Sequence, residues 1–417
     1  MDVIIKKGQK PCGSAAAPVS KSEAHRLLIC AALSDKPCRL LTGGTNDDIE
    51  ATVGALTSLG AKITPVNGGY DIIPINNVTK DPLIDCKESG STLRFMLPVA
   101  AALGADASFT GSGRLPERPL SPLYELMSGR GVRMSEKGKM PLSCRGRLSG
   151  DDFEIDGSVS SQFITGLLLA SPLMGKEVTV KVTGKCESRP YIDITLSVMR
   201  KFGVNIESQG NTFTVSGSYK SPETVRAGGD WSSAAFWLTA GALSDKGMTV
   251  TGLEGGSAQG DRNIVNCLKA LGADISEGGS FTARPSKLKG CVIDCADIPD
   301  LVPILSVAAA FADGETVFEN ISRLRSKESD RVLSVCALLD SFGIKTAAKP
   351  NRLTVTGGIP RGSYADSFSD HRIAMSAAIL ASVSGSECRI KGAECVSKSY
   401  PAFFDDLMSL GVELERK

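Results

Sequence analysis

The chain has 417 residues, of which 42% are hydrophobic and 22% charged, and its formal net charge is +1. This length exceeds what one hydrophobic core usually supports, so two domains are expected. The near-neutral charge argues against a general nucleic-acid or membrane surface, and the sequence has neither a long apolar run nor a signal-peptide layout. We therefore expect a cytoplasmic protein whose twelve scattered cysteines are reduced and hold no structural metal.

Two markers repeat six times along the chain. The first is an amphipathic stretch that ends in glycine before a short apolar strand, at intervals of 68 to 72 residues: Gly60, Gly131, Gly203, Gly272, Gly343 and Gly411. The second is an Ala/Leu-rich helix followed by a strand that closes at Gly43, Gly111, Gly184, Gly252, Asn320 and Gly392. A glycine after the last helical turn favours the left-handed conformation that ends a helix. The period indicates six repeats of about strand, helix, strand, helix, strand, three in each domain.

The Ala/Leu-rich helices all begin with polar residues. In chain order these starts are Ser20-Lys21-Ser22, Glu88-Ser89-Gly90-Ser91, Ser160-Ser161-Gln162, Asp230-Trp231-Ser232-Ser233, Asp297-Ile298-Pro299-Asp300 and Asp370-His371-Arg372. Helix capping explains any one of them, and Ser20 with Glu23 fits a capping box. Together they predict an anion site if the repeats direct several helix N-termini to one centre. The basic residues Lys21, Arg26, Arg94 and Arg372 lie in or just inside these first turns.

Three further segments are more polar than a core requires. In the loop from Gly111 to Pro119, Arg118 precedes a proline and is predicted to be extended and to project outward. In 322–331, Lys327 and Arg331 are predicted on one face of a helix beside Glu328, although an exposed helix with ion pairs has the same pattern. The segment 397–401 is typical of a loop. Neither a GxxxxGK[ST] nor a GxGxxG phosphate motif is present, so side chains and helix starts must hold any anion.

These residues resemble the 5-enolpyruvylshikimate-3-phosphate synthase family (3-phosphoshikimate 1-carboxyvinyltransferases) along essentially the full chain. The matching stretches are 20–22 with Arg26, 89–94, 114–119, 156–163, 189–195, 327–331 and 370–372. The resemblance implies an α/β fold of two domains, the inside-out α/β barrel of enolpyruvyl transferases, with six βαβαββ repeats. We expect residues 1–20 plus 227–417 in the first domain, residues 21–226 in the second, and the active site in the cleft between them.

The resemblance also implies the reaction. The enolpyruvyl group of phosphoenolpyruvate would be transferred to the 5-hydroxyl of shikimate 3-phosphate, and phosphate would be released without a metal or an organic cofactor. The step needs a proton delivered to the methylene carbon, a proton removed from the hydroxyl, and stabilisation of an anionic tetrahedral intermediate. The partners would be these two small molecules, in the shikimate pathway to chorismate, with neither nucleic acid nor membrane, and we expect a monomer.

Residue roles follow by similarity. Asp300 would accept the hydroxyl proton, Glu328 would act as acid and then base at the methylene carbon, and Lys21 would bridge both substrates. The residues expected at phosphoenolpyruvate are Lys21, Gly90, Arg118, Gln162, Arg331, Arg372 and Lys398. Those expected at shikimate 3-phosphate are Lys21, Ser22, Arg26, Ser160, Ser161, Gln162, Ser188, Tyr191, Asp300 and Lys327.

Some positions depart from the pattern of better-known members. Glu88 stands where many carry Asn, Phe95 where Pro is common, and Arg323 where an Asn touches the shikimate phosphate. Gly90 agrees with the pattern and leaves room beside the phosphoenolpyruvate site. The herbicide glyphosate, which occupies that site in the family, is therefore expected to fit here.

Two alternatives remain from the sequence. The sister enzyme that transfers enolpyruvate to UDP-N-acetylglucosamine has the same six-unit fold, but it typically carries a Cys in the loop that here runs from Gly111 to Pro119 without one. A non-catalytic repeat protein that binds an anion is the other. A pure anion binder gains nothing from Asp300 and Glu328 beside its ligand.

Overall fold

The computed structural model describes residues 1–8 and 10–417 and divides them into two compact units. Unit 1 comprises Met1–Pro18 and Gly229–Lys417, and unit 2 comprises Val19–Gly228. These limits lie two residues from the predicted ones at each crossing of the chain. Each unit has its own hydrophobic core, and neither core draws residues from the other unit.

Six α-helices lie in each unit of the described chain. In unit 2 they are α1 (Lys21–Ala32), α2 (Asp47–Ser58), α3 (Gly90–Leu103), α4 (Leu123–Ser128), α5 (Ser161–Ala170) and α6 (Arg189–Lys201). In unit 1 they are α7 (Trp231–Leu243), α8 (Ile264–Ala270), α9 (Val302–Ala310), α10 (Arg331–Asp340), α11 (His371–Ser384) and α12 (Phe403–Ser409).

The strands are short and belong to four-stranded sheets. Those before the first crossing are β1 (Val3–Ile5) and β2 (Gly13–Ala16). Those of unit 2 are β3 (Cys38–Leu41), β4 (Lys62–Val66), β5 (Gly69–Ile73), β6 (Leu83–Asp85), β7 (Ala107–Thr110), β8 (Arg133–Met134), β9 (Leu142–Arg145), β10 (Asp152–Asp156), β11 (Val178–Thr183), β12 (Asn205–Gln209), β13 (Thr212–Ser216) and β14 (Thr224–Arg226). The remaining strands of unit 1 are β15 (Met248–Thr251), β16 (Asp274–Glu277), β17 (Phe281–Arg284), β18 (Val292–Asp294), β19 (Glu315–Glu319), β20 (Thr346–Lys349), β21 (Arg352–Thr356), β22 (Tyr364–Asp366), β23 (Cys388–Lys391) and β24 (Leu414–Arg416).

All six sheets in the described chain share one topology, a parallel pair at one edge followed by two antiparallel neighbours. The strand orders in unit 2 are β14-β3-β5-β4, β6-β7-β9-β8 and β10-β11-β13-β12. Those in unit 1 are β2-β15-β17-β16, β18-β19-β21-β20 and β22-β23-β1-β24. The repeat is therefore βαβαββ, one strand longer than the residue pattern alone indicates, because a hairpin such as β4–β5 follows five of the six marker glycines.

The strands next to the two crossings pair with sequence-distant strands of their own unit. β2 pairs in parallel with β15 in unit 1, whereas β14 pairs in parallel with β3 in unit 2. The final repeat is completed by β1, which lies between β23 and β24. Sequence-distant segments thus close three of the six sheets.

The six marker glycines have positive φ, from 74° at Gly203 and Gly343 to 115° at Gly60, which confirms the helix-ending assignment. The capping prediction holds at five of the six polar helix starts, where Ser20, Ser89, Ser160, Asp230 and Asp370 accept a hydrogen bond from a backbone N–H of the first turn. At the sixth start the cap residue is Ile298, which has no side-chain acceptor. Asp300 lies instead inside a 3₁₀ turn at Pro299–Leu301.

The Ala/Leu-rich helices, such as α3, α5, α7 and α9, form the centre of each unit. Every residue of α9 is buried, and so is all of α7 except its last residue, Leu243. In unit 2, α3 and α5 approach so closely that a Cβ on Gly166 would lie 2.4 Å from the backbone oxygen of Arg94. Helices that are apolar on all sides require this central position. All twelve cysteines are free thiols, as predicted, and seven of them are buried.

Candidate active site

Arg331 is the centre of an ion-pair cluster in unit 1. Its Nη1 donates to Asp300 Oδ1 at 2.6 Å, its Nη2 to Glu328 Oε2 at 2.7 Å, and its Nε to Asp370 Oδ2 at 2.8 Å. The guanidinium is 1% exposed, so water screens these contacts little. Burial alone lowers the pKa of a guanidinium, but Asp370, Glu328 and Asp300 outweigh it and raise the pKa of Arg331.

Asp300 receives two further cations. Lys327 Nζ donates to Asp300 Oδ1 at 3.2 Å, and Arg372 Nη2 donates to Oδ2 at 3.1 Å. Asp300 does not cap a helix, so both oxygens of its carboxylate are available for these contacts. Asp370, by contrast, caps α11 by accepting from Arg372 N and also accepts from Arg331 Nε. Burial lowers the pKa of Lys327, and the charge of Asp300 partly opposes this effect. Three carboxylates (Asp300, Glu328 and Asp370) thus meet three cations (Lys327, Arg331 and Arg372) in a largely buried environment of low dielectric constant.

The structure corrects one prediction about the segment 322–331. Lys327 and Arg331 do not share a helical face, because 322–326 forms a 3₁₀ turn, Lys327 is extended, and α10 begins only at Arg331. Asp330 caps α10 by accepting from Leu333 N. Lys327 and Arg331 nevertheless meet at Asp300. The alternative of an exposed helix is also wrong, since Arg331 is fully buried.

Sequence reasoning missed Asp261, which lies in a 3₁₀ turn at Gly260–Asn263 and is almost fully buried. Ser232, in the first turn of α7, donates a hydrogen bond to its Oδ2. Burial first and the negative charge of Asp300 second raise the pKa of Asp261 to about 7, although Arg372 acts in the opposite direction. Its sequence signal is an acidic residue at the end of the glycine-rich segment 255–261, which lacks the lysine of a phosphate-binding loop.

In unit 2, Lys21 forms the first residue of α1 and pairs with Asp48 at 2.9 Å between Nζ and Oδ2. Both side chains are largely buried. Glu23 donates its N–H to Ser20 Oγ at 3.4 Å, but its carboxylate accepts from Gly228 N and Lys201 Nζ. Only half of the predicted capping box is therefore formed. The Glu23 carboxylate does not return to Ser20 because it binds the backbone at Gly228, where the chain leaves unit 2.

The start of α3 lies against the loop that carries Arg118. A Cβ on Gly90 would be 2.7 Å from Arg118 Nη1, so only glycine lets the guanidinium come this close. Arg118 is extended, with φ −71° and ψ 139°, as predicted. It does not project outward, however, because it is half-buried against Gly90.

Gln162 is fixed by two residues of α3. Its Nε2 donates to Ser91 Oγ at 2.9 Å, and its Oε1 accepts from Arg94 Nη1 at 2.5 Å. Arg94 Nη2 donates to the carbonyl oxygen of Pro119 at 2.9 Å. Arg94 therefore joins Gln162 to the loop of Arg118, a function that the sequence did not assign to it.

The residues assigned to shikimate 3-phosphate in unit 2 gather at α1, α5 and α6. Arg26 is buried and donates to Thr195 Oγ1 at 2.7 Å, to Ser22 O at 2.5 Å and to Tyr191 O at 2.9 Å. Burial lowers the pKa of Arg26 to about 10. The remaining assigned residues lie at the starts of α5 and α6: Ser160, Ser161 and Ser188. Ser188 is buried and adopts a left-handed conformation with φ 54° before α6.

Lys398 ends a 3₁₀ helix at Ala393–Lys398 and is buried, so the segment 397–401 is more ordered than the loop that its sequence predicts. This 3₁₀ helix packs against α11, whose second residue is Arg372. Tyr400 anchors it by donating to Asp406 Oδ2 at 2.6 Å and accepting from Trp237 Nε1 at 3.1 Å. The other predicted residues of unit 1 meet at the starts of α9, α10 and α11: Asp300, Lys327, Glu328, Arg331 and Arg372.

No group of three or more His, Cys, Asp or Glu side chains among residues 1–8 and 10–417 is arranged to hold a metal ion. Within the same residues, no helix has both the length and the apolar character needed to cross a bilayer.

Comparison with known proteins gives one consistent family. The sequence model described as EPSP synthase (3-phosphoshikimate 1-carboxyvinyltransferase) matches residues 5–407. A 3-phosphoshikimate 1-carboxyvinyltransferase of Clostridium kluyveri is 42% identical over 409 residues, covering 97% of this chain and 96% of the relative. A protein of the same name from Clostridium perfringens is 39% identical over 421 residues, covering 99% of both chains.

Solved structures agree with this family. The EPSP synthase of Acinetobacter baumannii superimposes with a TM-score of 0.81 at 25% identity and covers all of both chains. The enolpyruvyl transferase NikO of Streptomyces tendae gives a TM-score of 0.80 at 18% identity, covering 100% of this chain and 98% of its own, and shows the shared fold alone. The predicted enolpyruvyl transferase fold is confirmed, and the chain belongs to the EPSP synthase (3-phosphoshikimate 1-carboxyvinyltransferase) family.

Proposed function

We propose that this protein transfers the enolpyruvyl group of phosphoenolpyruvate to the 5-hydroxyl of shikimate 3-phosphate, releasing phosphate and forming 5-enolpyruvylshikimate 3-phosphate. The observation that carries the proposal is the family match over residues 5–407. The contacts of Arg331 with Asp300 and Glu328 support it, because the reaction needs one proton removed and another delivered, and two carboxylates can divide these tasks.

The chemistry proceeds by addition and elimination. In the addition, the 5-hydroxyl oxygen bonds to C2 of phosphoenolpyruvate, Asp300 accepts the hydroxyl proton, and Glu328 delivers a proton to the methylene carbon. In the elimination, the C2–O bond to phosphate breaks and Glu328 recovers a proton from the new methyl group. Arg331 Nη1 and Nη2 donate to Asp300 and Glu328 respectively, so one guanidinium fixes both proton carriers.

Binding of the anionic substrates is assigned to cations and helix starts. We propose that Lys21, Arg118, Arg331, Arg372 and Lys398 hold the phosphate and carboxylate of phosphoenolpyruvate. Guanidinium groups suit both because two parallel N–H bonds match two oxygens. The polar residues of unit 2 would hold shikimate 3-phosphate: Ser22, Arg26, Ser160, Ser161, Gln162, Ser188 and Tyr191. Residues of both units therefore serve one reaction in this proposal.

The test is phosphate release from phosphoenolpyruvate by the purified full-length protein in chelator-treated buffer. We expect release with shikimate 3-phosphate and none with UDP-N-acetylglucosamine. Release only with the nucleotide sugar would assign the chain to the sister activity, which the family match and the cysteine-free loop 111–119 do not favour. Silence with both acceptors would restore the anion-binding alternative.

Two neutral variants test the carboxylates. Asp300→Asn and Glu328→Gln should each lower kcat by roughly 10²- to 10⁴-fold, the usual contribution of a general acid or base. The exposed residues Asp313 and Glu315 of the same unit offer the matched controls Asp313→Asn and Glu315→Gln, which should retain full activity. Activity within threefold of wild type in either test variant would contradict its proposed role.

We also infer a cytoplasmic location and a monomeric state. Twelve free thiols support a reducing compartment. The exposed large apolar side chains are spread over both units, from Ile73 and Leu83 to Val292 and Ile359, which supports a monomer. Light scattering during gel filtration tests the second inference, and a mass near twice 43.7 kDa would contradict it.

A further inference from the structure

His25 is a buried titratable residue that the proposed reaction does not use. It lies on α1, one turn after Lys21, and is 1% exposed. Burial lowers its pKa to about 3, so the imidazole is neutral at physiological pH. Lys21 and Arg26 oppose its protonation as well, whereas Asp48 favours it. A neutral imidazole has one N–H donor and one acceptor nitrogen and is well suited to join hydroxyl groups.

A chain of buried hydroxyl groups begins at this imidazole. His25 Nδ1 is 2.6 Å from Thr52 Oγ1, which is 2.8 Å from Thr92 Oγ1, and Thr92 Oγ1 is 2.9 Å from Ser89 Oγ. All four residues are at most 1% exposed. The chain crosses from α1 to α2 and ends at the cap of α3. We refer to these four residues as the His25 chain.

The direction of the hydrogen bonds follows from the last member. Ser89 Oγ accepts from Thr92 N at 3.3 Å and from the Thr92 hydroxyl, so Thr92 is a donor to the cap. The Thr52 hydroxyl has two acceptors within reach, Thr92 Oγ1 at 2.8 Å and the Asp48 carbonyl oxygen at 3.5 Å, and the shorter contact favours donation to Thr92. With its hydrogen used there, Thr52 Oγ1 accepts from His25 Nδ1–H. His25 Nε2 keeps its lone pair and meets no hydrogen-bond partner among the described residues. A buried acceptor without a partner is better tolerated than a buried N–H, which agrees with this tautomer.

Two members of the His25 chain, the interior Thr52 and the terminal Ser89, lie next to residues that contact groups assigned to phosphoenolpyruvate. Asp48, which pairs with Lys21, lies one turn before Thr52 on α2, and its carbonyl oxygen is 3.5 Å from Thr52 Oγ1. Ser89 caps α3 directly before Gly90, whose Cα lies against the guanidinium of Arg118. The distance between Lys21 and the start of α3 therefore depends on the hydroxyl groups between them.

The neighbouring residue on α1 is joined to the opposite side of unit 2. Arg26 Nε donates to Thr195 Oγ1 at 2.7 Å, and Thr195 Oγ1 is 3.0 Å from Thr165 Oγ1. Thr165 lies on α5 and Thr195 on α6, the helices whose starts carry the residues assigned to shikimate 3-phosphate. Phe95 contacts both His25 and Arg26. Its ring is edge-on to the imidazole of His25, and Arg26 Cζ lies over the ring, 5.0 Å from its centroid.

We propose that His25, Thr52 and Thr92 are positioning residues that set the phosphoenolpyruvate half of the site, separately from the shikimate 3-phosphate half set by Arg26 and Thr195. The inference rests on the proposed function. A shift of a fraction of an ångström at the start of α3 displaces Gly90 and Arg118 relative to Lys21, whereas the starts of α5 and α6 keep their own hydrogen bonds. A misplacement of about 1 Å can cost roughly 10²-fold in rate, so we expect a smaller shift to cost about tenfold.

The test compares valine substitutions, which keep the shape of threonine and remove its hydroxyl. Thr52→Val should raise the KM for phosphoenolpyruvate by about 5- to 20-fold and change the KM for shikimate 3-phosphate by less than twofold. Thr195→Val should have the reverse effect, and Thr52→Ser should restore the wild-type values. The control is Thr239→Val on α7, whose fully buried hydroxyl has no hydrogen-bond partner among the described residues and which should change neither KM.

A second pair of variants keeps the inference testable if Thr52→Val does not fold. His25→Asn retains an N–H donor close to the position of Nδ1, whereas His25→Leu removes it. Only His25→Leu should show the selective rise in the KM for phosphoenolpyruvate. Equal changes in both KM values, or none in Thr52→Val and His25→Leu, would overturn the inference. A wild-type protein without transfer activity would instead refute the proposed function. Calorimetry reports on the inference independently of turnover, because the affinity for shikimate 3-phosphate should be unchanged in Thr52→Val.

Discussion

At the scale of single residues, the two acidic side chains Asp370 and Asp300 differ in their exposure to solvent and in their hydrogen-bond partners. Asp370 is inaccessible to solvent, caps α11 and accepts from Arg331, so its charge is fully used inside the protein. Asp300 is held by three cationic side chains and remains partly exposed. A proton acceptor must reach its substrate, and only the second arrangement allows this.

Asp261 makes the stability of unit 1 depend on pH. Its folded-state pKa of about 7 exceeds the usual value of 3.8, so the folded protein binds the proton more tightly than the unfolded chain does. This contribution to stability is complete below about pH 4 and is lost as the pH rises through 7. Asp261→Asn cannot ionise, and its stability relative to wild type should therefore increase by about 2–3 kcal/mol between pH 5 and pH 8.

Tryptophan fluorescence during urea unfolding measures this effect selectively, because Trp231 and Trp237 are the two tryptophans of the sequence and both lie in unit 1. The groups that face Asp261 are Ser232, Asp230, Asp300 and Arg372, and all are retained in the variant. Asp245→Asn, at an exposed site of the same unit, is the control. A stability difference that does not vary with pH would show that Asp261 is ionised throughout.

At the scale of elements, the contact between the start of α3 and the loop 111–119 explains why position 90 is sensitive. In Gly90→Ala the new methyl group would meet the guanidinium of Arg118, which is the movable end of a side chain and can be displaced. We expect the inhibition constant of glyphosate to rise at least tenfold and the KM for phosphoenolpyruvate to rise with it.

Gly54→Ala on α2 is the matched control, because a Cβ there meets no atom within 4 Å. That variant should leave both constants unchanged and should stabilise the helix slightly. An unchanged inhibition constant in Gly90→Ala would refute the steric account of this position.

Features that depend on neighbouring residues could be predicted from the sequence, and contacts between distant residues could not. The marker glycines and the capping residues were predictable because their conformations depend on neighbours within one or two turns. The true start of α10 has the same kind of local signal, because Asp330 caps the helix by accepting from Leu333 N, but the i, i+4 spacing of Lys327 and Arg331 indicated an earlier start. The His25 chain and Asp261 were beyond reach, because their partners come from other elements: Thr52 lies 27 residues from His25, and Ser232 lies 29 residues from Asp261.

At the scale of the whole molecule, each unit is complete in its core and its sheets. Residues 19–228 contain three four-stranded sheets, including β14, which pairs with β3. A fragment of these residues should fold cooperatively by circular dichroism. It should bind shikimate 3-phosphate more weakly than the full chain, because it lacks the contributions proposed above for Asp300 and Lys327. A fragment of residues 19–217, which lacks β14, should be markedly less stable. A disordered 19–228 fragment would show that the unit depends on the rest of the chain.

The position of β1 between β23 and β24 has a consequence for protein synthesis. Unit 2 can fold while the ribosome is still making unit 1, since all its strands lie within residues 19–228. β1 must wait for Cys388–Lys391 and Leu414–Arg416, although it is made first. Translation that stops early therefore yields a folded unit 2 attached to an unpaired, apolar first strand and an unfinished unit 1, a product prone to aggregation.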